Sequence, residues 1–147
     1  MEKLVALCYV WAFGLDDKTD YYTELDRLFL ENPEDDFLLE LEGLGDNRAE
    51  AWERLGRFEE SALNIDVFGK ELFAALEKVY NENKFPLAEF GKRCYKMWCA
   101  LPYKPFQYEQ TEPFCILTYA DDPLSYGEEG QSRDYYEAAF NYYKERP

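Results

Sequence analysis

Residues 19–43 read TDYYTELDRLFLENPEDDFLLELEG, and this stretch decides the fold. Tyr21, Tyr22, Leu25, Leu28 and Phe29 recur at helical spacing and form one apolar stripe, while Glu24, Asp26, Arg27 and Glu31 fall on the outward face. A rhythm of three and four residues belongs to an amphipathic helix; a half-buried strand would alternate every two. Asp17 or Thr19 can accept the first free backbone N–H groups of that helix. Asn32-Pro33 then closes one helix and opens the next, with Asn32 as N-cap and proline at the first helical position, where no N–H is needed. Glu34, Asp35 and Asp36 follow in the first turn, where the helix dipole favours anions. Phe37, Leu38 and Leu41 supply the buried side, and Gly43 the exit.

Upstream, Leu4 to Phe13 is an unbroken apolar run. Leu4, Val5, Cys8, Trp11 and Ala12 keep helical spacing, and Leu7 and Val10 fill the other side, so the run predicts a helix buried nearly all round that stops at Gly14. A central strand is the competing reading. The run is not expected to be a secretory leader: Glu2 cancels Lys3, no small-residue cleavage site follows, and Leu7 before Cys8 argues against a lipoprotein site. It is also too short to span a bilayer. The expectation is a core segment of a cytoplasmic protein.

Downstream, Asp46 is placed as the cap of a fourth helix carrying Ala51, Trp52, Leu55 and Phe58. A fifth runs from Asp66 to Asn83 on a stripe of Phe68, Leu72, Ala75, Leu76 and Val79, and Pro86 opens a sixth with Leu87, Phe90, Cys94, Met97, Trp98 and Leu101 on one face. Pro102, Pro105 and Pro113 alternate with Tyr103, Phe106, Tyr108 and Phe114, which favours an extended strap. Cys115–Tyr119 is the best strand candidate; Asp121-Asp122-Pro123 and residues 127–130 read as turns. A last helix starts near Ser132 and carries Tyr135, Tyr136, Ala139, Phe140 and Tyr143. The expected fold is all-α or nearly so: an irregular bundle of about six or seven short helices in one domain of ordinary size.

Composition narrows the function. There are 31 acidic and 16 basic residues and no histidine, giving a net charge of -15, yet 47% of residues are hydrophobic and 18% aromatic. Enough apolar surface exists to offset chain entropy, so the acidity clothes a folded body. Residues 1–60 carry a net -11, residues 61–105 a net +2 and residues 106–147 a net -6. Direct binding to nucleic acid or an anionic membrane needs clustered Lys and Arg and is disfavoured. Cys8, Cys94, Cys99 and Cys115 lack zinc-knuckle spacing and read as buried free thiols in a reducing compartment. Lys92, Arg93 and Lys96 form a basic face, an internal counter-charge for the acidic N-terminal half.

Without histidine, Ser-His-Asp and Cys-His nucleophile systems and histidine-bearing zinc sites are absent, and no phosphate loop of the Gly-rich Lys-Ser/Thr kind occurs. Carboxylate chemistry remains. Asp16-Asp17-Lys18-Thr19-Asp20 has a spacing that is similar to the magnesium-diphosphate motif of isoprenoid synthases, a resemblance of five residues that implies carboxylates holding Mg²⁺. Gly14 and Asp17 instead suggest a loop and a cap. Glu50 and Glu53 resemble half of the magnesium site of all-helical nucleotide pyrophosphohydrolases, but the second acidic pair is missing, since Glu71 and Glu77 lie six apart. No metal or cofactor is therefore expected.

The function expected is that of a non-catalytic binding protein whose acidic, tyrosine-rich surface docks a basic protein. In surface character this resembles immunity proteins, antitoxins and phage-type inhibitors, some of which present carboxylates where a nucleic acid presents phosphates. The expected contacts are Asp16, Asp17, Asp20, Asp35, Asp36, Asp121 and Asp122, with Tyr21, Tyr22, Tyr126, Tyr135 and Tyr136 as aromatic anchors. Two alternatives are a magnesium-dependent hydrolase of phosphate esters or diphosphates, and a helical scaffold or homo-oligomer.

Overall fold

The stripe on residues 19–31 is a helix in the computed structural model, which describes residues 1–56, 63–101 and 111–146. The chain is all-α, and every regular element among the described residues is helical. Among the described residues seven α-helices follow in order: α1 (Glu2–Ala12), α2 (Thr19–Glu31), α3 (Asp36–Glu42), α4 (Arg48–Gly56), α5 (Ile65–Asn81), α6 (Leu87–Cys99) and α7 (Glu129–Tyr142). Two 3-10 helices, Phe114–Thr118 and Asp122–Tyr126, precede α7. Among the described residues no helix is long and apolar enough to cross a membrane. The chain divides into two compact units, Met1–Leu72 and Phe73–Pro147, with the boundary inside α5.

In the first unit α1 packs against both α2 and α4, and α2 packs against α3. A helix apolar on all sides must be covered on all sides, and Leu4, Val5, Ala6, Cys8, Tyr9, Val10 and Trp11 are all buried. The strand alternative for this run falls away with it. The Tyr9 ring meets Trp52 and Phe68 edge-on, with centroids 6.2 and 6.3 Å away, the arrangement that aligns a ring's positive edge with its neighbour's negative face. Gly14, at φ 71°, takes the chain out of α1 through the left-handed region. In the second unit α6 packs on the first 3-10 helix, and α7 packs on both. Phe90, Cys94, Met97, Phe114, Leu117, Tyr136, Ala139 and Phe140 form its core. Gly91 lets α6 come close: a Cβ there would lie 2.7 Å from both the Asp121 Cβ and the Tyr136 hydroxyl.

Several expectations are corrected. Helix α3 begins three residues later than Asn32-Pro33 suggests. The Asp35 carboxylate caps it, accepting from Phe37 N at 3.0 Å and Leu38 N at 3.1 Å, while the Asn32 amide turns back to donate to Leu28 O. Asn47, not Asp46, caps α4 by accepting from Glu50 N, and Asp46 pairs with Lys18. Asn64 caps α5, taking Asp66 N and Val67 N. Cys115–Tyr119 is largely 3-10 helix: Phe114, Ile116 and Leu117 are all buried, which period-two alternation does not provide, and the Thr118 hydroxyl donates to Cys115 O. The last helix starts at Glu129, a turn earlier than Ser132. Phe58 and most of the proline-aromatic strap lie outside the described residues.

Candidate functional site

The acidic candidates of the first unit divide between local structural duty and open surface. Asp16 Oδ1 accepts from Asp17 N and Asp17 Oδ1 accepts from Thr19 N, both at 2.8 Å, so this pair shapes the entry to α2 as a capping loop does. Asp20 lies in the first turn of α2 and lines a cleft with Lys3, Leu7, Thr23 and Glu24. Tyr21 is only 1% exposed and is a core residue, its ring 5.0 Å from Trp11. Tyr22 is half-buried, and burial, followed by the carboxylates of Asp46, Glu42 and Asp26, pushes its phenol up.

Glu24 faces inward, not outward. Three residues after Tyr21, it shares that ring's side of the helix and is 4% exposed. Its charge is compensated by Arg27, whose Nε and Nη2 both donate to it at 2.7 Å, and these bonds hold the carboxyl below the usual range. Arg27 also bonds Glu31, and Arg54 pairs with Glu40.

What remains is an acidic face on α2, α3 and the turn between them. Residues 26–42 hold seven acids and one base. Asp26, Glu34, Asp35, Asp36 and Glu42 have no cationic partner among the described residues. Asp26 and Glu42 hydrogen-bond each other, and burial together with Asp26 raises the Glu42 carboxyl to about 7. Two carboxylates in contact repel each other, which favours the protonated form of Glu42. Two large apolar side chains stand in this segment, Leu30 at 79% exposure and Leu39 at 55%. Both lie off the stripes that bury Leu25, Leu38 and Leu41, and that off-stripe position was the available sequence signal for them.

The candidates of the second unit lie apart from one another in kind. Asp121 is half-buried, which raises its carboxyl, and with Asp122 it lines a groove of ≈ 480 Å³ shared with Lys92, Tyr95, Lys96 and Thr118. Tyr126 is 63% exposed. Tyr135 is half-buried, accepts from Gln131 Nε2 and meets Tyr119 edge-on at 5.1 Å. Tyr136 is fully buried, with its ring 5.2 Å from Phe90. Arg93 pairs with Glu89 on its own helix and stacks over Phe85, while Lys92 and Lys96 make no ion pair among the described residues.

All four cysteines are free thiols. Burial pushes Cys8 up to about 12, so it is an inert core atom, whereas Cys99 is exposed, against expectation. Among the described residues no three His, Cys, Asp or Glu side chains converge as metal ligands. No protein-family model, curated protein or solved structure matches the chain.

Proposed function

We propose that this chain is a non-catalytic binding protein that docks a basic protein partner on the α2–α3 face of its first unit. One observation carries the reading: Leu30 and Leu39 stand exposed in a segment where five carboxylates lack a cation among the described residues. Exposed apolar side chains in an acidic segment suit a partner that brings lysines or arginines together with an apolar contact. The net charge of -15 adds long-range attraction, which accelerates encounter with a cationic surface. Asp35 and Asp36 of the expected contact set belong to this face; Tyr21 and Tyr136 are core residues. A cytoplasmic setting fits four unbridged thiols.

The test is a pull-down from extract of the source cell with the wild-type chain and with the Leu30→Ser/Leu39→Ser variant, followed by affinity measurement on the purified partner. The expected partner is basic, is lost with the leucine variant, and binds about tenfold or more weakly when salt rises from about 0.05 to 0.2 M. A partner that is acidic, or that ignores both the leucines and the salt, overturns the proposal.

A further inference from the structure

A second site of different chemistry lies in the second unit. The groove of ≈ 480 Å³ has one wall on α6, with Lys92, Tyr95 and Lys96, and another on the segment carrying Thr118, Asp121 and Asp122. Its volume falls within the range of about 300–1,000 Å³ common for small-molecule sites. Lys92 and Lys96 are one helical turn apart, so both ammonium groups can reach the same space.

The two walls carry opposite charge and do not close on each other. Lys92 and Lys96 make no ion pair with Asp121 or Asp122, nor with any other described residue. The acidic wall is held in place from behind. The Asp121 Cβ packs so tightly on α6 that a Cβ at Gly91 would approach it to 2.7 Å. The Tyr136 hydroxyl occupies the same contact, fully buried and without a hydrogen-bond partner among the described residues. The half-burial of Asp121 makes its carboxylate costly until a cation reaches it. On the same wall, the Thr118 hydroxyl already donates to Cys115 O at 2.7 Å and offers its oxygen as an acceptor. Tyr95, 44% exposed, lays its ring flat along Trp98 and gives the basic wall an aromatic surface.

The lining side chains sum to no net charge but separate it by sign. A simple anion would meet the aspartates, and a simple cation the lysines. A molecule that is itself neutral with separated charges satisfies both walls. We propose that this groove binds a small zwitterion of the amino-acid or short-peptide class, its ammonium on Asp121 and Asp122 and its carboxylate between Lys92 and Lys96. The site is independent of the docking face on α2–α3.

Isothermal titration calorimetry of the full chain tests this with glycine, diglycine and triglycine, set against acetate alone and methylammonium alone. The expected result is that at least one member of the glycine series binds about tenfold or more tightly than either single-charge ion. Strongest binding by glycine would assign the site to free amino acids, and strongest binding by triglycine to peptides. Lys92→Ala/Lys96→Ala, which alters only exposed side chains, should lower that affinity about tenfold or more. The proposal is overturned if no member of the series exceeds both ions, or if the double-lysine variant, shown folded by its helical circular dichroism, binds as the wild type does. Asp121→Asn should weaken the ammonium side in the same way; since Asp121 also packs on α6, the lysine variant decides the outcome.

Discussion

At the scale of single residues, the carboxyls of the acidic face do not behave alike. Glu24 is held ionised by Arg27, whereas Glu42 is raised to about 7 by burial and by Asp26. The two act on stability in opposite directions. Glu24's contribution is present above its unfolded value and fades as pH falls through its lowered folded value. Glu42's is complete below its unfolded value of 4.5 and fades as pH rises through about 7. Between about pH 5 and pH 8 the Glu42 contribution should therefore decline, and the melting temperature with it. Glu42→Gln keeps the hydrogen bond to Asp26 without the titrating proton, so the variant should show a shallower decline over that window in a thermal melt. An identical slope in variant and wild type would remove Glu42 as the cause. The raised Glu42 carboxyl also tempers the charge of the face, because one of its five carboxyls without a cationic partner among the described residues is partly neutral near pH 7.

At the scale of elements, the helices with the strongest periodicity were the most legible. The stripe of Leu87, Phe90, Cys94 and Met97 gives α6 almost to the residue, and Pro86 sits at its N-cap. Capping was less legible, because competing oxygens stood within a few residues of each other. Asn32 and Asp35 both suit a cap, and the choice fell to Asp35, whose carboxylate reaches two N–H groups at once. Asp35→Ala should cost about 0.5–2 kcal/mol in denaturant unfolding, as caps generally do, while Asn32→Ala should cost less. The 3-10 helix at Phe114–Thr118 was hidden by the β-branched Ile116 and Thr118, whose strand propensity is overruled by burial of three of five side chains. Of the docking face, the crowding of acids over residues 26–42 could be counted in advance. Which acids find an arginine, which two touch, and that Glu24 turns inward depend on how α2 meets α1 and α3, and no local pattern encodes that.

At the scale of the whole molecule, a charge of -15 opposes folding through self-repulsion even as it attracts a cationic partner. Salt therefore acts with opposite sign on the two processes. The melting temperature of the free chain should rise between about 0.01 and 0.15 M monovalent salt, as the screening length shortens to about 8 Å, over the range in which partner affinity falls. Differential scanning calorimetry at both ionic strengths checks this, and a falling melting temperature would mean that attraction within ion pairs outweighs the repulsion between unpaired acids.

The buried hydroxyls of Tyr21 and Tyr136, which find no hydrogen-bond partner among the described residues, carry one more consequence. Burial lifts both phenols well above the ordinary value, so they stay protonated in base while the fold lasts. An ultraviolet alkaline titration should then release part of the phenolate absorbance late, in step with loss of ellipticity, making these two rings a built-in optical reporter of when each unit comes apart.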